Sequence, residues 1–208
     1  MTFHCSGPAR DLVLASASPR RSHILRTLGL SFEVDPADVD ETPAEGAPIH
    51  AVVATLSLDK ARTVAGRHAS ALVIAADTLV ELDGRILSKP VDAADARSML
   101  ATMSGRQHRV ATGLVLLDAA SGDTRTRIVE TQVVFRPMSD DEIEAYVATG
   151  EPLDKAGSYG IQGLGAGFVE RIDGDYYNVA GLPVAALNDL LREAGCCIVC
   201  RNLRSLRD

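Results

Sequence analysis

Two arginines stand where a helix least favours them. The stretch Ser16-x-Ser18-Pro19-Arg20-Arg21 has a good N-cap in Ser18 and a proline suited to the first helical position, so Arg20 and Arg21 fall in an opening turn. The macrodipole and the unpaired backbone N–H groups there penalise cations and attract anions. A bound phosphate reverses the penalty, and hydroxyls, free N–H donors and two guanidinium forks at a strand exit form a cradle for one. The same residues also read as a capped helix with two solvated arginines.

Asp77 follows the apolar run Leu72-Val73-Ile74-Ala75-Ala76 and precedes Thr78-Leu79-Val80, which places its carboxylate at a strand end or inside a sheet. An unpaired charge there costs several kcal/mol, so it needs a partner. The productive choices are a metal ion or a water to be deprotonated, and a structural cap on a nearby loop is the other. Asp38, Asp40 and Glu41 in the preceding loop are candidates for a second carboxylate on the same ion. Lys60 continues the apolar stripe of Val53 and Leu56, so its ammonium either snorkels to solvent or reaches an anion in a cleft, and Lys89 before Pro90 is similar in kind. Gln162 sits in a glycine-rich stretch that lets backbone approach a flat ligand, and its amide offers both a donor and an acceptor to a base edge. A flexible loop is the plainer reading. Neither Rossmann nor Walker glycine spacing is present.

The elements that must position these residues are well punctuated. A buried strand over 11–15 leads into a helix from Pro19 that ends at Gly29. A loop over 35–48 precedes a second amphipathic helix carrying Ile49, Val52, Val53, Leu56 and Val64, and 72–76 reads as another buried strand. Asp83-Gly84 is the dipeptide that a type I′ hairpin turn prefers, between strands at 79–82 and 85–88. Asp92 caps a helix through Met103, and 109–117 with 126–135 make a second hairpin around Gly122. Ser139 and Glu142 form a capping box whose helix ends at Gly150. After the glycine-rich 158–167, two short strands are expected around Asp173-Gly174-Asp175, then a last helix from Pro183. Strand-helix units mixed with hairpins predict an α/β fold with a mixed sheet and flanking helices.

With 208 residues, an irregular leader over 1–11 and a single domain over 12–208 are expected. A formal charge of -7 opposes non-specific attraction to nucleic acid or an anionic membrane, so neither is an expected partner and any basic site is local. No apolar run approaches the roughly 20 residues of a membrane span, and residues 1–10 lack the apolar core of a signal peptide, so the expected compartment is the cytoplasm. The cysteines are Cys5, Cys196, Cys197 and Cys200. The last three lie in an apolar stretch without a second ligand pair, which reads as a buried strand with small thiols rather than a zinc site.

Together these segments resemble the Maf family of nucleotide pyrophosphatases. The matching pieces run in the family's order from Leu14-Ala15-Ser16-Ala17-Ser18-Pro19-Arg20-Arg21 through Val39-Asp40-Glu41-Thr42, Asp59-Lys60-Ala61, Ala76-Asp77-Thr78 and Leu87-Ser88-Lys89-Pro90. They continue in Ser104-Gly105-Arg106-Gln107-His108-Arg109-Val110-Ala111-Thr112-Gly113, Asp154-Lys155-Ala156-Gly157-Ser158-Tyr159-Gly160-Ile161-Gln162-Gly163 and Gly181-Leu182-Pro183, so the likeness spans about Leu12 to Glu193.

The resemblance implies an elongated mixed sheet with two lobes around a central cleft, as in the inosine triphosphate pyrophosphatases. It implies hydrolysis of a nucleoside triphosphate between its α and β phosphates. By motif position Asp77 is implied as the catalytic carboxylate, Glu41 and Asp77 as holders of a divalent cation (Mg²⁺ or Mn²⁺), and Ser16, Arg21, Lys60 and Lys89 as polyphosphate binders. Arg20, Thr78 and Gln162 match the branch that prefers dTTP and UTP over 7-methyl-GTP. One departure is Ala75, where many members carry Gly. The same pocket would serve a nucleotide-sensing division-control protein, or a pyrophosphatase acting on another base such as that of ITP. A homodimer is left open as the oligomeric state.

Overall fold

The computed structural model describes residues 11–42, 46–196 and 198–199. In chain order the strands are β1 Leu12–Leu14, β2 Glu33–Val34, β3 Leu72–Leu82, β4 Arg85–Leu87, β5 Gln107–Asp118, β6 Thr124–Phe135 and β7 Val169–Asp173. The helices are α1 Pro19–Thr27, α2 Ile49–Ala65, α3 Ala93–Met103, α4 Asp140–Ala148, α5 Tyr176–Val179 and α6 Val184–Glu193, with 3₁₀ turns between Glu151 and Phe168. Among the described residues the strands make one mixed sheet in the order β2-β1-β3-β5-β6-β7, with β4 folded onto β3. The β2-β1-β3 side is parallel, and the remainder is antiparallel.

Local chemistry accounts for most boundaries. Ser18 caps α1, Asp92 caps α3 by accepting from the Asp95 amide, and Ser139 with Glu142 closes a reciprocal capping box on α4. Asp83 and Gly84 both take positive φ, 51° and 78°, as a type I′ turn requires. Three expectations need correction. The strand expected over 72–76 runs on unbroken to Leu82, because Leu79 to Leu82 keep pairing with β5 on one side and take up β4 on the other. A two-residue strand, β2, forms at 33–34, just before the expected loop and in a stretch to which no element was assigned. Only one strand flanks Gly174; beyond it the Asp175 carboxylate accepts from the Tyr177 amide and starts α5. The strand expected over the C-terminal cysteines is corrected at Ile198 and Val199, which are helical; Cys197 and Cys200, like Cys5 and the leader over 1–10, lie outside the described residues.

The period of two along β3 decides where the core is interrupted. Leu72, Ile74 and Ala76 join Leu114, Leu116, α1 and α6 in one apolar cluster, while Val80, Leu82 and Val110 join α3 and α4 in another. On the same face between them lie Thr78 and its cross-strand partner Thr112, two hydroxyls that split the layer. The opposite face behaves alike. Val73, Ala75 and Val115 pack with Ala61 and Val64 of α2, and Leu79 and Ala111 pack with Ile49, Val53 and Leu56. Asp77 falls between those two clusters. Both faces are therefore polar at one step of one strand.

Candidate active site

The edge of β3 is open at that step. β1 pairs with it only as far as Ile74, with one further bond from the Ala15 amide to the Ile74 carbonyl, and β4 takes over only at Val80. Asp77 and Thr78 thus face a gap between two neighbouring strands, and a cleft of about 660 Å³ occupies it. Of the residues expected at the site, Ser16, Arg20, Arg21, Glu41, Lys60, Asp77, Thr78, Lys89 and Gln162 all line this cleft. Asp38 and Asp40 are not among its lining residues, and Asp40 instead accepts from the Thr42 amide at 2.9 Å.

Lys60 joins two carboxylates. Its Nζ lies 2.6 Å from Asp77 Oδ1 and 2.6 Å from Glu41 Oε1, and Lys89 Nζ lies 3.0 Å from Glu41 Oε2. Lys60 and Asp77 are both buried, with side-chain exposures of 6% and 9%. The neighbourhood of Gly113, opposite Asp77 in β5, explains how α2 comes so near. A Cβ there would stand 2.2 Å from the Val53 carbonyl oxygen, so only glycine lets the helix backbone settle on the sheet at this level. Lys60 does not snorkel outward; its stem follows the apolar stripe inward to the carboxylate. Burial pushes the Glu41 carboxyl up, but the bonds and charges of Lys60 and Lys89 outweigh it and hold the group at about 2. Asp77 Oδ2 is buried and has no hydrogen-bond partner.

On the other face, Arg21 ties three segments together. Its Nη1 donates to Ser16 Oγ at 3.0 Å, Nη2 to Thr78 Oγ1 at 3.2 Å and Nε to the Gly181 carbonyl at 2.8 Å. Burial pushes this guanidinium below its usual pKa, and the charge of Asp77 draws it back. Two of its five N–H groups are not engaged in these bonds. Thr78 Oγ1 is 2.8 Å from Thr112 Oγ1, which in turn reaches the Asn178 carbonyl at 3.3 Å. Thr112 and Gly181 lie in segments that carry the family resemblance but were given no task at the site, and Asn178 was not singled out from sequence. A threonine on the inward face of the otherwise apolar strand 110–117 was the signal for the first; nothing local marked the other two.

At the cleft mouth Arg20 reaches Asp154 at 3.0 Å, and Lys155 reaches the other oxygen of Asp154 at 2.6 Å. Gln162 is exposed on the loop above. The candidate donors to a cation are the carboxylates of Asp77, whose Oδ2 is unpartnered, and of Glu41, whose two oxygens are held by Lys60 and Lys89; among the described residues no group of three or more His, Cys, Asp or Glu side chains gathers as a cage. Two carboxylates, one with an orphaned buried oxygen, suit a hard cation such as Mg²⁺ that keeps waters and shares a substrate's phosphates.

Fold and cleft together define a mixed α/β protein whose charged site is built at an opening in the sheet, with two cores on either side. The chain belongs to the Maf family: the family model described as Maf-like protein matches residues 11–194. It is 52% identical over 180 residues to a protein of Moorella thermoacetica named dTTP/UTP pyrophosphatase, covering 86% of this chain and 93% of that one. It is 51% identical over 182 residues to one of the same name from Salinibacter ruber, covering 87% and 89%. A third of that name, from Alkaliphilus metalliredigens, is 49% identical over 183 residues, covering 88% and 95%. Among solved structures, the Staphylococcus aureus Ham1 protein superposes with a TM-score of 0.45 at 15% identity, over 61% of this chain and 72% of that one. Among the described residues no helix is long and apolar enough to cross a membrane.

Proposed function

We propose that this chain hydrolyses dTTP and UTP between the α and β phosphates, releasing the nucleoside monophosphate and pyrophosphate, with Asp77 as the proton acceptor. The observation that carries this reading is the orphaned, buried Oδ2 of Asp77 in a cleft where the other carboxylates, Glu41 and Asp154, are each held by two cations. A carboxylate among polyphosphate binders repels the ligand unless it takes a proton or meets a cation. Relatives named for dTTP and UTP supply the substrate class.

Each residue then has a task. Lys60 donates to Oδ1 and favours the charged carboxylate, which leaves Oδ2 to accept the proton of a water placed in line with the α phosphorus. Lys89, Lys60 and the free N–H groups of Arg21, with Ser16 Oγ, hold the β and γ phosphates and neutralise charge that builds on the leaving pyrophosphate. Asp77 and Glu41 would hold a divalent cation, Mg²⁺ or Mn²⁺. When bound, that cation supplies charge neutralisation on the phosphate oxygens and lowers the pKa of water. Arg20, Thr78 and Gln162 face the base and sugar and select among nucleotides.

Release of pyrophosphate from a panel of nucleotides, with and without excess chelator, tests the reading. Pyrophosphate from dTTP and UTP that ceases under chelation is the expected result. Tight nucleotide binding without any pyrophosphate release would turn the protein into a sensor, and undiminished release in chelator would remove the cation.

A further inference from the structure

The loop that carries Gln162 is pinned at both ends by two side chains that do not line the cleft. Glu151, in the 3₁₀ turn after α4, accepts from the Leu164 amide at 3.0 Å, the Gly165 amide at 3.2 Å and the Tyr146 hydroxyl at 2.9 Å. The Tyr146 hydroxyl oxygen in turn accepts from the Gly160 amide at 3.2 Å. Gln162 lies between these anchors, two residues after Gly160 and two before Leu164. The intervening glycines make room for them. A Cβ on Gly163 would stand 2.5 Å from both Glu151 carboxylate oxygens, and one on Gly165 would stand 2.7 Å from the Tyr146 hydroxyl. Neither residue has so far been given a task, yet two of the three hydrogen bonds that the carboxylate accepts come from one short loop and the third from the side chain that holds the loop's other end.

A loop rich in glycine has many accessible conformations, so an amide carried on it can present its donor to a base as readily as its acceptor. Uracil and cytosine differ by exchange of a donor and an acceptor on the edge that such an amide would meet. Selection therefore requires that the backbone beneath Gln162 be held. We infer that Glu151, acting through Tyr146 and the amides of Gly160, Leu164 and Gly165, is the positioning residue that makes Gln162 selective for uracil and thymine over cytosine. This inference rests on Gln162 reading the base. Glu151 touches neither the phosphates nor the reacting atoms. An ionised carboxylate suits the task because it only accepts, and every partner offered to it is a donor.

The test replaces Glu151 by Gln, whose NH₂ sets a donor against a donor, and separately Tyr146 by Phe, which keeps the ring in its apolar cluster and removes the hydroxyl. For both variants kcat and KM are measured with UTP and CTP, inhibition with inorganic tripolyphosphate, and backbone hydrogen exchange over 160–165. The UTP-to-CTP ratio of kcat/KM should fall by about tenfold, the scale of one net hydrogen bond. KM for UTP should rise while kcat stays within about twofold, the pattern of lost uniform binding. Inhibition by tripolyphosphate, which has no base, should not change, and the amides of Gly160, Leu164 and Gly165 should exchange faster. An unchanged ratio in both variants overturns the proposal, and so does a kcat that falls equally for both nucleotides. Gln162→Ala in otherwise unaltered protein tests the underlying reading by itself. A ratio that responds to Gln162→Ala but not to the other two sinks the positioning role alone; one that ignores all three sinks the base-reading role and the proposal with it. If Glu151→Gln does not fold, Tyr146→Phe carries the same test.

Discussion

Lys60 and Asp77 form a buried ion pair, Nζ to Oδ1 at 2.6 Å, between the charged residue of the buried α2 stripe and the step of β3 where the sheet lies open. A buried carboxylate that loses its cation keeps the desolvation cost without the compensation. Lys60→Met should therefore destabilise the fold by about 3 kcal/mol in urea unfolding, and adding Asp77→Asn should recover part of the loss. Asp77→Asn alone should leave nucleotide binding largely intact and lower turnover by at least about a hundredfold, the scale for a positioned acid or base. Near-normal turnover in that variant assigns the proton to another group.

Gly113 sets how closely α2 approaches. Its missing Cβ would meet the Val53 carbonyl oxygen at 2.2 Å and Ser57 Oγ at 2.7 Å, and the backbone cannot yield as a long side chain does. Gly113→Ala should cost at least about 2 kcal/mol by overpacking and carry Lys60 away from Asp77, so that activity falls along with stability. A wild-type melting temperature and wild-type turnover together would show that the helix is not held there.

His108 introduces a pH dependence away from the cleft. It is 2% exposed, packs edge-on against Phe135 and Tyr159, and shares one hydrogen bond with the Tyr159 hydroxyl at 2.9 Å. Burial pushes it from 6.5 down to about 4. Between those values the unfolded chain binds a proton that the folded one does not, so stability is full above the upper value and falls as pH drops toward the lower. The loss amounts to roughly 3 kcal/mol across the window. Unfolding free energies measured from pH 7 to 4 should show this slope, and His108→Gln should flatten it; an equal slope in both proteins would place the titration elsewhere.

Base choice follows from the amide of Gln162. It can meet both the acceptor O4 and the donor N3–H of thymine or uracil, whereas cytosine reverses the pair. dTTP and UTP should be cleaved with at least about tenfold greater kcat/KM than CTP, and Gln162→Glu should erode that preference by roughly 1–3 kcal/mol. If 7-methyl-GTP or ITP is the best substrate, the pyrimidine assignment is wrong even where pyrophosphate is released.

What could be read along the chain was whatever depends on near neighbours. Ser18, Asp92 and the Ser139–Glu142 box bond amides within three or four residues, and Asp83-Gly84 satisfies its own turn, so those boundaries needed no knowledge of the rest of the molecule. The same holds for the two arginines beside Ser18, whose placement against a helix dipole is a local oddity. Asp77 and Lys60 were each visible as a charge in an apolar pattern. That they satisfy one another across 17 residues, with Glu41 as the third member, is a matter of how α2 lies on the sheet, and Gly113 decides that from another strand. The continuation of β3 past Asp77 depends on pairing with β5, and the partners of Arg21 come from residues 57 and 160 positions away. Glu151 had no local mark as an anchor, because the amides it holds become its neighbours only when the glycine loop folds back over α4. Short-range hydrogen bonds and periodicity are written in order along the chain; register, the gap between β1 and β4, and the meeting of distant charges exist only once the sheet is assembled.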